Sequence, residues 1–330
     1  MEDSPRCTAR QLVPFALIAY GLPFLMGIPL AIAQRAGYPT DIFANAQMYY
    51  PAAGAIAALL LTGQADAMPR RFFVFHLICT GLMALCCLGT VILPGGGWLV
   101  ACNLIVILGS LAGWGVLLAQ KKELRQAAGL GWQKGKLVCG CVVLYILLRT
   151  ALVFAGAAIS GQLEEYLVYW TTPAPYLALV MLIPNFFCSF EPFWGEEYGW
   201  RYFLQPRLQS QFGMRGGVLL LGVLWGLWHL PLNLFYHNPD TALQNVAGQL
   251  ITCVTLGIFF AWAYLKTGNI WAPVLLHFFN NNLGEVCNAT ADISNQTIGW
   301  LDVGLHLVLM GVVFLPFLAS PVFGKKAKVQ

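Results

Sequence analysis

Three glutamates fall within seven positions of this sequence, in Glu191-Pro-Phe-Trp-Gly-Glu196-Glu197-Tyr-Gly-Trp-Arg201. On a helix Glu197 and Arg201 share a face, with the acid amino-terminal, the better order for a pair. Glu196 points about 100° away and is left for another task. Two adjacent carboxylates in a low dielectric cannot both ionise cheaply. One held by Arg201 and one acting as a base is a sensible division. The plain alternative puts all three acids in the headgroup layer at the cytoplasmic end of a span. A second cluster is Trp225-Gly-Leu-Trp-His229. Its Trp225 and His229 lie on one helical face, and a lone histidine in a span commonly bonds a neighbouring helix. The third is His277-Phe-Phe-Asn-Asn281. Two neutral donors on one face suit an oxyanion, though they could equally bond another helix or begin a metal site.

The elements that must carry these clusters are membrane helices. Charged residues make up 10% of the 330, and hydrophobic ones 58%, against about 25% charged in ordinary soluble domains. The mean hydropathy is +0.69. With 18 Lys and Arg and 14 Asp and Glu, the chain cannot cover a soluble surface. The same numbers exclude disorder, coiled coil and collagen. A net charge of +4 does not suggest a nucleic-acid partner. The first eleven residues are polar, and the apolar run after them is too long for a signal peptide. Most of the ten cysteines sit in apolar runs without CxxC spacing and read as small packing residues.

A spanning helix needs about 20 mainly apolar residues. Ten ranges qualify: 12–33, 44–63, 72–93, 97–119, 137–160, 176–198, 217–236, 245–265, 270–286 and 299–320. Their length excludes barrel strands, so the expected class is an all-α polytopic membrane protein of about ten helices. Lys and Arg gather at alternate ends, at Arg70, Arg71, Lys121, Lys122, Arg201, Arg207 and Lys266 among others. That asymmetry puts both termini in the cytoplasm. The polar stretch 120–136 divides the chain into an amino-terminal region of about four helices, 1–136, and a carboxy-terminal one of about six, 137–330. The first region carries His76 and little other intramembrane charge. Arg149 lies mid-span and needs an acid or a ligand carboxylate; Glu191 is the candidate partner. Two glycosylation sequons stand at Asn288 and Asn295, of consequence only where the compartment glycosylates.

Taken together, Glu196-Glu197-Tyr-Gly-Trp-Arg201 fits EExxxR, Trp225 to His229 fits aromatic-xxx-His, and His277 to Asn281 fits HxxxN. In that order on successive membrane segments, they resemble the CPBP family of CAAX proteases and bacteriocin-processing enzymes, also called the ABI family. The type II CAAX prenyl endopeptidases are its best-known branch. The resemblance runs from Glu196 to Asn281, 86 residues of 330. One position departs from the pattern: the family usually has Phe where this chain has Trp225. The resemblance implies an intramembrane endopeptidase cutting near the cytoplasmic membrane face. It implies that Glu196 and His229 activate water, that His277 and Asn281 stabilise the oxyanion, and that Glu197 and Arg201 form a supporting pair. No metal or other cofactor is expected. The partners would be the lipid bilayer and a peptide or membrane-associated protein substrate, met in CAAX-type processing, peptide maturation or bacteriocin self-immunity. The location would be integral and multi-pass, in the plasma membrane if the host is prokaryotic.

Three other readings stay open. Two histidines and a glutamate can ligate catalytic zinc, although HExxH is absent and Asn281 is a poor zinc ligand. Ten spans would also suit a transporter of two five-helix repeats, although the first five spans have no counterpart of the Glu and His clusters. A catalytically silent scaffold or immunity protein on the same fold is the third. Depth poses a question for the protease reading. With span boundaries at 198 and 217, Glu196 is near the inner surface while His229 is about 18 Å deep. They meet only if the second span starts later, or if the chain after Glu196 re-enters the membrane.

Overall fold

The computed structural model describes residues 8–64, 68–237, 239–287 and 297–324. Both sequon asparagines lie outside these. Among the described residues the regular structure is entirely helical. In chain order the helices are α1 (Ala9–Ala36), α2 (Asp41–Gln47), α3 (Tyr50–Leu61), α4 (Arg70–Ile92), α5 (Trp98–Leu118), α6 (Lys122–Ala127) and α7 (Gly135–Ile159). There follow α8 (Leu163–Tyr169), α9 (Ala174–Phe212), α10 (Met214–Phe235), α11 (Pro239–Thr267), α12 (Trp271–Cys287) and α13 (Trp300–Ala319). Eight of these, α1, α4, α5, α7, α9, α10, α11 and α13, are long and apolar enough to cross a membrane. The chain is an all-α, multi-pass integral membrane protein. Two of the ten expected spans take a shorter form. Range 44–63 is divided between α2 and α3, and range 270–286 is the 17-residue α12.

The helix that carries the glutamates departs most from expectation. It does not end near 198 but runs on to Phe212. Proline removes a helical N–H and its ring crowds the carbonyl four residues back. Pro192 lies inside α9, and three residues before it Ser189 leaves helical geometry at φ −139°, ψ 16°. The bend turns the stretch after it inward, and residues 191–200 are buried on every side. Immediately after Glu197 the helix widens into a π-helical turn, Tyr198–Leu204. Such turns bulge a helix and re-aim its side chains. Gly199 lets α3 approach this turn, because a Cβ there would overlap Pro51.

The chain then reverses at Gly213, whose φ of +77° is a conformation that side chains disfavour. α9 and α10 form a hairpin around that turn. At about 1.5 Å per residue, Glu196 lies roughly 25 Å from the turn along α9 and His229 roughly 24 Å along α10. The two are level, so no re-entrant segment is needed. The depth mismatch came from ending α9 too early.

One hydrophobic core joins the two halves of the chain. It includes Phe15, Ala52 and Phe72 from the first half and Trp194, Trp200, Trp225 and Phe260 from the second. α1 carries its own π-helical turn, Leu17–Gly21. Within it the carbonyl of Ala19 accepts the Trp228 indole N–H at 2.7 Å. Gln47 Nε2 of α2 donates to the Trp228 carbonyl at 3.1 Å. The amino-terminal helices thus grip the residue just before His229.

Candidate active site

Glu196 and Glu197 sit at the start of the widened turn of α9, with exposures of 1% and 0%. A buried carboxylate is stable only with donors or counter-charges around it. Glu197 has two. Its Oε2 accepts from Arg201 Nε at 2.8 Å, and its Oε1 accepts from His277 Nδ1 at 2.9 Å. Both acids are thus enclosed among the helices, with Glu197 paired there, and neither is left on the protein surface. Arg201 is itself fully buried. Neither of its Nη atoms has a hydrogen-bond partner among the described residues. Its guanidinium lies instead over the rings of Trp225 at 4.9 Å and Phe260 at 5.5 Å, where a delocalised cation is favoured by the ring faces.

Trp225 is the common neighbour of the site. Its indole N–H donates to Glu196 Oε1. Its ring lies 5.8 Å from that of His277 and 6.1 Å from that of His229. Its carbonyl accepts from His229 Nδ1 at 2.9 Å. α10 ends its first helical stretch at Trp228, and His229 occupies the cap that leads into the short turn after it. His229 is half-buried, while His277, in the first half of α12, is 5% exposed.

These hydrogen bonds assign the ring nitrogens. A carbonyl and a carboxylate only accept, so Nδ1 carries the proton in both histidines. In the neutral ring Nε2 is then an acceptor. His229 can therefore accept a proton of water at Nε2. His277 can donate at Nε2 only as an imidazolium, and Glu197 provides the counter-charge for one. That refines the sequence reading, which took His277 as a neutral donor. Asn281 stands apart from this group. It is exposed and its Oδ1 accepts from Asn280 Nδ2 at 3.0 Å. Asn280 Oδ1 in turn accepts from Tyr145 at 2.8 Å.

Glu191 and Arg149 do not pair. Glu191 points to the face of α9 covered by α4 and α5, where His76 Nδ1 meets its Oε1 at 3.2 Å. Its backbone N–H donates to Ser110 Oγ at 3.2 Å. Arg149 is on α7, which packs on α12 and α13. There it lines a separate cavity of about 330 Å³ with Ser160, Gln162, Asp302 and His306. Among the described residues, no three His, Cys, Asp or Glu side chains come together as a metal would require. Two partners escaped the sequence reading. One is His76, singled out only as the amino-terminal region's solitary intramembrane histidine. The other is the indole N–H of Trp225, which was read only as a bulky aromatic.

Fold and site together define a multi-pass membrane protein with an acid–histidine centre buried among its helices. Residues 170–283 match the family described as "Type II CAAX prenyl endopeptidase Rce1-like", and that range contains every residue of the centre. The chain is also 26% identical, over 192 residues, to the "CAAX prenyl protease 2" of Methanococcus maripaludis. The similarity covers 56% of this chain and 62% of that relative's length. No solved structure matches the chain.

Proposed function

We propose that this protein is an intramembrane endopeptidase that hydrolyses a peptide bond by general-base activation of water. The observation that carries the reading is the convergence of Glu196, His229 and His277 on Trp225, with Glu197 behind His277. A hydrolase needs a base, a held water and a donor aimed at the developing oxyanion. Glu196 takes a proton from a water that His229 Nε2 also holds. The water oxygen attacks the scissile carbonyl carbon, and the carbonyl π pair moves onto oxygen. His277, protonated and backed by Glu197, donates from Nε2 to that oxyanion. Asn281, one turn along α12, would add its amide N–H₂ once a substrate strand lies on that face. The tetrahedral species collapses, the C–N bond breaks, and Glu196 returns its proton to the leaving amine.

The matched family and the named relative support a membrane-associated peptide as substrate. An apolar groove of about 410 Å³ between α1 and α10 is lined by Gly27, Ala31, Leu230, Pro231 and Phe235. It begins one residue after His229 and could take an isoprenoid or other apolar substituent of that peptide. The test is cleavage of a fluorogenic peptide with an S-isoprenylated cysteine by the purified protein in liposomes. Glu196→Gln and His229→Ala should each abolish cleavage without loss of folded protein. Full activity in both would overturn the reading.

A further inference from the structure

We propose that Trp225 is a positioning residue: its indole N–H holds the Glu196 carboxylate in the orientation from which it takes the proton of water. The inference rests on the base role proposed for Glu196 and deepens it. A buried carboxylate on a side chain with several rotatable bonds needs a fixed donor to hold one orientation. Its charged neighbours give it no hydrogen bond, and neither Nη atom of Arg201 has a partner among the described residues. Arg201 gives its Nε–H to Glu197, and His277 gives its Nδ1–H to the same acid. The Trp225 N–H reaches Glu196 Oε1.

The donor is itself held still. Trp225 is 3% exposed. Its ring lies beneath the Arg201 guanidinium at 4.9 Å, meets His277 edge to face at 77°, and has Phe260 at 6.0 Å. Rotation would break all three contacts. The same residue orients His229, but through its main-chain carbonyl. Trp225 therefore sets the geometry of both groups proposed to hold the water, one by side chain and one by backbone. A side-chain substitution should disturb Glu196 and leave the His229 bond in place. Phenylalanine, the family's usual residue at this position, has no N–H to offer. This chain thus carries a device that the pattern alone does not require.

The experiment separates shape from hydrogen bonding. Trp225 is replaced by Phe, and separately by β-(3-benzothienyl)alanine, which keeps the bicyclic shape and puts sulfur in place of N–H. Each variant is scored for kcat and KM on the liposome cleavage assay and for melting temperature. A hydrogen bond to a charged group contributes enough that its loss should lower kcat about ten- to a hundredfold. KM should be unchanged, and the benzothienyl variant should melt somewhat below the parent protein, because a buried carboxylate loses a donor, while staying folded at the assay temperature. A benzothienyl variant with parental kcat would overturn the proposal, because a structural role survives that replacement. If Glu196→Gln also cleaves normally, the base role proposed for Glu196 fails with it; if Glu196→Gln is dead, only the role of Trp225 fails. A readout that needs no substrate is the indole ¹H–¹⁵N spectrum, with the Trp225 resonance assigned by its loss in Trp225→Phe. That resonance should move upfield in Glu196→Gln, where a carboxylate acceptor becomes an amide. An unmoved resonance would overturn the proposal even if Trp225→Phe proved too unstable to assay.

Discussion

Glu197 stands behind His277, its Oε1 2.9 Å from the ring's Nδ1, while its other oxygen holds Arg201 at 2.8 Å. One buried carboxylate thus ties a helix-internal pair on α9 to a histidine on α12. Glu197→Gln removes the charge that both cations face and leaves Arg201 buried without an acid. Breaking a buried pair in this way costs about 3–5 kcal/mol. The variant should show a clearly lower melting temperature in detergent. Its residual cleavage should also fall, because His277 loses the partner that orients it. A variant as stable as the parent would mean that the pair is dispensable.

Glu196→Gln should behave differently. Its neighbour Trp225 can still donate to the amide oxygen, so packing and melting temperature should hold. Loss of a general base costs about 10² to 10⁴ in rate, which should take cleavage to the detection limit. Circular dichroism and size exclusion check folding, and the liposome assay checks turnover. A stable but dead Glu197→Gln beside an active Glu196→Gln would reverse the roles of the two acids.

The reach of the sequence is clearest at Glu197 and Arg201. Their i,i+4 spacing and the buried ion pair they form are both legible, because helical periodicity decides which residues meet within one helix. The length of α9 is not. Hydropathy falls at Glu196 to Arg201, so a span boundary belongs near 198 by composition. Those charges instead satisfy one another and His277, and the helix continues to Phe212. Contacts between helices are the other gap. Glu191 meets His76 and not Arg149 because α4 and α5 cover that side of α9, and lateral neighbour order leaves no trace in spacing. The N–H of Trp225 was overlooked because aromatic character was the only property the pattern asked of it.

Gly199 offers a test of the widened turn. Any Cβ at this position would overlap Pro51 of α3, and both partners are backbone-fixed. Overpacking of this kind typically costs about 1–3 kcal/mol. Gly199→Ala should lower the melting temperature and reduce kcat, since α9 must shift at a point two residues from Glu197. Gly140→Ala, where a Cβ meets nothing within 4 Å, is the matched control and should be neutral. Equal melting temperatures for the two variants would show that the turn tolerates displacement.

The last prediction concerns metal. A zinc hydrolase would need three protein ligands with one position open to water. Glu197 has both oxygens committed, to His277 and Arg201. His229 and His277 have each committed Nδ1. Only their Nε2 atoms and Glu196 are left, and Glu196 Oε1 is already the acceptor for Trp225. The proposed chemistry uses those atoms for water and oxyanion, so it should proceed with no metal. Purified protein should keep full cleavage activity after prolonged incubation with EDTA and 1,10-phenanthroline, and elemental analysis should find zinc well below one equivalent. Activity lost to chelation and restored by zinc in a one-to-one ratio would replace the general-base mechanism with a metal-bound hydroxide. In that case Trp225→Phe should weaken zinc retention as well as turnover.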